Sequence, residues 1–203
     1  VNIISSGQPH NAYAGKDKGG VPESSDTEQF WMRDFAVLVH KKLTSLTDHH
    51  VRLAPLANSY KDNVAFVNAN RANFNFSFHS NATGISGTER TGIGVYTNKA
   101  YTAPETSQLA KVFKDHFSAF PGGSYISTLT VAELSATKDK TILFELQYHD
   151  WVGNEAVGGA DWIRHAPNRE AMANKFVEAF ISVYGSRDVD SVTPPLAPPV
   201  APS

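Results

Sequence analysis

Phenylalanine recurs at every second position in Phe74-Asn75-Phe76-Ser77-Phe78, and the alternation ends on His79, followed by Ser80, Asn81 and Ala82. A period of two puts the three rings on one face of a strand, so this segment demands a core on that side and holds its backbone rigidly. Further strands are expected at Val1–Ser5, Val51–Leu56, 91–97 and 141–147. Helical periodicity fills the intervals. Asp26 or Thr27 is a suitable cap for a helix over 27–47, with Phe30, Met32, Phe35, Val39, Leu43 and Leu46 as its apolar stripe. A short helix is expected over Lys61–Arg71, and another over 105–119 with Leu109, Val112, Phe113 and Phe117 inward. A last one spans 168–185, with Ala171, Phe176, Val177, Phe180 and Ile181 as its apolar face. Strands alternating with helices in this way predict a single α/β domain, a mostly parallel central sheet of about six strands with helices on both faces. Folds of this class bind ligands beyond the carboxyl ends of their strands, which is where His79 stands.

The chain's 203 residues, 41% of them hydrophobic, supply one ordinary core without staples. A formal charge of −2 lacks the basic footprint of a nucleic-acid binder. With no cysteine, disulfides and thiolate metal sites are excluded, and the eight histidines leave imidazole and carboxylate as the available metal ligands. Val1–Ser6 is too short for a signal-peptide core and no apolar run reaches the length of a membrane span, so neither a secretion signal nor membrane insertion is expected. From Asp188 the chain runs into Thr193-Pro194-Pro195-Leu196-Ala197-Pro198-Pro199, an extended proline-rich stretch. The expected organisation is a catalytic domain over 1–187 and a linker over 188–203 leading to a further domain.

Four residues at the ends of expected elements are positioned to converge: His10 in the loop after the first strand, Glu28 in the first turn of the first long helix, His79, and Glu145 in the last strand. Two imidazoles and a carboxylate form a three-ligand zinc set. Zinc hydrolases keep a fourth position for water, whose pKa falls from about 15.7 to about 7, with a separate carboxylate to take its proton. Glu145 is the candidate for that base, because a charge in the apolar run Ile142-Leu143-Phe144-Glu145-Leu146 is costly without a partner. Each residue also has a plain structural reading: His10 as a surface loop residue, Glu28 as a complement to the helix dipole, His79 as a donor to a backbone carbonyl. Glu23, on the same approach to the helix, competes with Glu28 as the carboxylate ligand, and the better-fixed helical position favours Glu28. No short metal motif such as His-Glu-x-x-His is present.

Ser77-Phe78-His79-Ser80-Asn81-Ala82 resembles the Ser-Ile-His-(Ala/Ser)-Asn-Ala segment of zinc-dependent N-acetylmuramoyl-L-alanine amidases of the amidase-3 type, especially the catalytic domains of phage endolysins. Thr27-Glu28-Gln29 with Met32 and Ala36 resembles the start of that family's first helix, and Gln8-Pro9-His10-Asn11 a variant loop of phage members. Ala132-Glu133-Leu134, Ile142-Leu143-Phe144-Glu145, Tyr148-His149-Asp150 and Asp161-Trp162-Ile163 resemble its closing block, so that the likeness runs over most of residues 1–186. The common opening Asp-Pro-Gly-His-Gly-Gly is absent, and Asn73 stands where many members have aspartate. The resemblance implies Zn2+ held by His10, Glu28 and His79, with Glu145 as the catalytic base and Asn81 and His149 as groups that orient ligands or touch substrate. It implies peptidoglycan as the substrate, cut between N-acetylmuramic acid and L-alanine, with the linker leading to a cell-wall-binding domain; a monomer is expected. For a phage lysin the expected setting is the host cytoplasm and then the cell wall. A zinc peptidase cutting within the stem peptide and a non-catalytic wall-binding module are the alternatives.

Overall fold

The computed structural model describes residues 1–15, 21–85, 87–100 and 102–187. The strands are β1 (Asn2–Ser5), β2 (Arg52–Leu53), β3 (Phe74–Asn81), β4 (Ile93–Asn98), β5 (Ser124–Leu129) and β6 (Lys140–Tyr148). The helices are α1 (Glu28–Leu46), α2 (Tyr60–Ala69), α3 (Pro104–Phe117), α4 (Ala132–Ser135), α5 (Gly159–Arg164) and α6 (Ala166–Tyr184). One six-stranded sheet runs in the order β2-β1-β3-β6-β4-β5, parallel except between β6 and β4. Among the described residues, no helix is long and apolar enough to cross a membrane. The proline-rich segment over 188–203 lies outside the described residues.

Alternation in the strands sorts side chains onto two unlike faces. Phe74, Phe76 and Phe78 enter a large aromatic core with residues of α1, α3 and α6, among them Phe35, Phe113, Phe176 and Phe180. Asn75, Ser77 and His79 point to the opposite face and are also buried. There α2 packs Val67 on Ile4 of β1, and α4 packs Leu134 on Leu143 of β6. One face of β3 therefore supplies stability and the other carries polar groups. Phe76 meets Phe113 at 5.4 Å, Phe176 at 5.2 Å and Phe180 at 6.1 Å between ring centroids and has no solvent exposure. Phe76→Ala should cost about 3–5 kcal/mol of stability by leaving a cavity among rings that cannot collapse into it, read as a lower urea midpoint.

Several expectations shift in detail. The expected stripes hold at Met32, Phe35, Val39 and Leu43 of α1 and at Phe176, Val177 and Phe180 of α6, while Phe30, Leu46 and Ala171 are exposed and Trp31, Ala36, Met172 and Ala173 join the buried faces. The second strand contracts to Arg52–Leu53 ahead of Pro55, which offers no backbone donor. β5, α4 and α5 were not expected from the sequence.

β3 and β6 are adjacent and parallel, with His79 the register partner of Glu145. Beyond that pair the register slips: Asn81 aligns with Tyr148, so β6 uses three residues where β3 uses two. The extra residue is accommodated at Gln147, a non-glycine residue with φ of 61°. Its side chain accepts from Gly92 N–H at 3.1 Å and donates to the Pro121 carbonyl at 2.9 Å, which holds the bulge. A bulge at this point re-aims the strand end next to His79 and Glu145.

Candidate active site

His79 is buried at the end of β3 with a carboxylate at each ring nitrogen. Its Nδ1 lies 2.9 Å from Glu28 Oε1 and its Nε2 lies 2.6 Å from Glu133 Oε2. Glu28 is the first residue of α1, whose N-cap Thr27 accepts from Phe30 N–H at 3.3 Å, so the carboxylate starts from a helix end that favours negative charge. The approach to that helix is fixed from below. Asp26 accepts from Trp31 Nε1 at 2.8 Å and from Arg164 Nε and Nη2 at 3.1 and 2.6 Å, a fully buried bidentate pair. Asn11 Nδ2 then donates to Glu28 Oε2 at 2.7 Å, tying the loop after β1 to the carboxylate.

Glu133 comes from the single turn of α4 and is 3% exposed. Its Oε1 accepts from Asn63 Nδ2 of α2 at 2.5 Å and its Oε2 from Ser77 Oγ at 3.1 Å. Burial works against charge on His79, but Glu133 and Glu28 outweigh it and raise the imidazole well above its ordinary range. Burial likewise pushes both carboxyls up, and the imidazole and its neighbouring donors more than reverse this, so both stay below the ordinary carboxylate range.

Glu145 is different in kind. It is partly exposed as a residue, yet its Oε2 is inaccessible and finds no hydrogen-bond partner among the described residues. Burial pushes its carboxyl up to about 8, with His79 opposing and Glu28 and Glu133 adding to the rise. With Gln8, Tyr60, His79, Leu129 and Glu133 it lines a cavity of about 330 Å3. A group whose folded pKa is raised contributes stability at acid pH that is lost as pH rises, here between about 4.5 and about 8. In the metal-free protein Glu145→Gln should therefore be the more stable form at pH 9, by on the order of 1–3 kcal/mol, and nearly equal to wild type below pH 5. Paired thermal melts at the two pH values check this.

Not all of the expected residues join this group. Glu28, His79 and Glu145 are brought together. His10 is exposed in the turn after β1, and its side chain makes no hydrogen bond or ion pair with the other three. Among the described residues no three histidine, aspartate or glutamate side chains, as they lie, form a group able to hold a metal ion. The Glu23 side chain lies outside the described residues. Asn81 donates to the Tyr125 hydroxyl at 3.2 Å, beside a chain of hydroxyls linking Tyr125 to Tyr96 at 2.7 Å and to Tyr148 at 3.4 Å. His149 is buried against Tyr13, with Nδ1 2.9 Å from Ser80 Oγ, and supports the residue that follows His79. Glu133 was assigned no role from the sequence. The signal that could have found it is a carboxylate between Ala132 and Leu134 at a turn that must pack inward.

Two kinds of comparison bear on this arrangement. The sequence profile of Amidase_3, N-acetylmuramoyl-L-alanine amidase, matches residues 10–182. The chain belongs to the Amidase_3 family. The fold of this amidase-family chain is shared with the catalytic domain of CwlV, an N-acetylmuramoyl-L-alanine amidase from Bacillus (Paenibacillus) polymyxa var. colistinus. That match has a TM-score of 0.67 at 19% identity and covers 92% of this chain and 98% of that one. An N-acetylmuramoyl-L-alanine amidase from Clostridium difficile 630 matches at TM-score 0.65 and 18% identity, over 92% and 98% of the two chains. The catalytic domain of the CD27L endolysin, which targets Clostridia difficile, matches at 0.59 and 16%, over 89% and 96%. No curated protein matches the sequence.

Proposed function

We propose that this chain is a zinc-dependent amidase that hydrolyses the bond between N-acetylmuramic acid and L-alanine in bacterial peptidoglycan. The observation that carries the reading is the register pairing of His79 with Glu145 at the lip of a cavity, in a chain of the Amidase_3 family. The donor chemistry suits zinc. An imidazole nitrogen and a carboxylate oxygen stand 2.9 Å apart at His79 and Glu28, and Glu145, whose Oε2 has no hydrogen-bond partner among the described residues, lines a cavity together with His79. His79 and Glu28 are accordingly the residues that would hold the ion. His10 is tied to it by resemblance alone, and His10→Ala should change zinc affinity far less than a substitution at either of them.

Bound zinc would act as a Lewis acid toward the scissile carbonyl and would lower the pKa of its water. The remaining chemistry falls to the chain's own groups. Glu145 accepts the proton of the attacking water and returns it to the departing amine, a two-way role suited to a carboxyl poised near neutrality. The bulge at Gln147 and the pairing of β3 with β6 hold it beside His79. Tyr60, Leu129 and Leu143 contribute apolar surface to the cavity wall.

We read the biological setting as lysis of a host wall by a phage lysin acting as a monomer, on the resemblance of Gln8-Pro9-His10-Asn11 to phage members. A second reading, a wall-binding module without catalysis, is favoured by one observation, the exposed His10. Chelation separates the two. Protein stripped of metal should release nothing from purified walls and should recover on addition of about one equivalent of Zn2+. Full activity in protein shown to hold no metal would overturn the zinc reading, and inactivity both before and after zinc would favour the binding module.

A further inference from the structure

An imidazole that binds a cation through one nitrogen must keep its proton on the other, and a fixed acceptor there sets the tautomer, the ring orientation and the basicity. His79 has a carboxylate on each side, so the structure poses the question of which one does this. The surroundings of the two carboxylates differ. Glu133 lies on the polar face of β3, toward the sheet interior: it shares Oε2 between His79 and Ser77, two residues earlier on the same strand face. Its Oε1 is held by Asn63 Nδ2, which also donates to the Ser5 carbonyl of β1 at 2.8 Å. Its three donors are all buried and belong to β3 and α2, so this carboxylate is tied to the sheet and to the helix packed on it. Glu28 sits at the start of α1 and is tied to the loop after β1: its Oε2 accepts from Asn11 Nδ2 at 2.7 Å, while its Oε1 faces His79 and accepts from Ser80 N–H at 3.4 Å.

We infer that Glu133 is the positioning residue of the site: it accepts the Nε2 proton of His79 and thereby presents the Nδ1 lone pair beside Glu28 as the metal-binding face. This deepens the zinc reading above and rests on it. In this role Glu133 acts through His79, and it also borders the cavity. Ser77 and Asn63 belong to the same device, since they hold the carboxylate that holds the ring. The arrangement also explains why a one-turn helix carries a glutamate at a position that is 3% exposed.

The test uses the whole chain, labelled with 15N in its histidine side chains, together with zinc affinity measured against a competing chelator. In the zinc-loaded wild type, correlation spectra of the His79 ring should show the proton on Nε2 and the metal on Nδ1. Glu133→Ala should bind zinc about 10–100-fold more weakly. Glu133→Gln, whose amide oxygen still accepts from Nε2, should fall between the two. Circular dichroism establishes that the variants are folded, and the wild-type spectra need no variant. Zinc on Nε2, or unchanged affinity in folded Glu133→Ala, would overturn the inference while leaving the zinc reading intact. A wild-type chain that takes up no zinc would overturn both.

Discussion

Glu145→Ala is expected to take up zinc like the wild type and to lose about 10²–10⁴ in kcat, the range for removing a positioned general base. The two halves of that result belong together. Glu145 is the register neighbour of His79 on the next strand, and it makes no hydrogen bond through Oε2 among the described residues. Its removal therefore breaks no network. The carboxyl is held near 8 by burial against its own charge, so the protein pays stability to keep it there, and Ala at this position should not lower the melting temperature of the metal-free form. A fall in kcat at unchanged KM and unchanged zinc content would mark a group that acts on the reacting atoms. Retained turnover would remove Glu145 as the base.

His79→Ala should behave in the opposite way, losing zinc, activity and stability at once. Among the described residues the imidazole alone touches both Glu28 and Glu133, and with their neighbouring donors it outweighs burial and keeps both carboxyls below their ordinary range. Removing it leaves two desolvated carboxylates without their cation, a change of the kind that costs about 3–5 kcal/mol per broken buried pair. The variant escapes part of that cost by protonating them, so its stability deficit should be larger at pH 8 than at pH 5. Elemental zinc on the purified variant and melts at the two pH values read both effects. Zinc retained at wild-type level in His79→Ala would place the metal elsewhere.

Much of the fold was legible because the sequence repeats its signals. Phe74, Phe76 and Phe78 fixed β3 by alternation, and Thr27 with the stripe from Met32 to Leu43 fixed α1 at nearly its true bounds. The elements that escaped are those with weak periodicity. β5 is an edge strand whose residues are mostly half-buried or exposed, and α4 and α5 are only 4 and 6 residues long, too short for a helical period to show. At the start of α1 the inward residue is Trp31 rather than Phe30, and Trp31 Nε1 donates to the buried Asp26, a partner invisible in the periodicity.

The site follows the same logic. His79 and Glu145 announced themselves as polar residues in apolar strands, and Glu28 by its place at a helix start. Their convergence depends on β3 and β6 being neighbours in the sheet although some 60 residues separate them in sequence, which no local pattern states. Glu133 was hidden because its helix is a single turn. His10 was chosen for its chemistry in a loop whose other polar members, Gln8 and Asn11, are the ones the fold turns inward: Gln8 lines the cavity and Asn11 binds Glu28.

The most direct measurement is mass spectrometry of the soluble products released from purified peptidoglycan by the zinc-loaded chain. Cleavage at the proposed bond predicts stem peptides with a free amino group on L-alanine and glycan strands left uncut, with peptide release slowed about 10²–10⁴-fold in Glu145→Ala. Fragments cut within the stem peptide, or no products from a chain that holds its zinc, would contradict it.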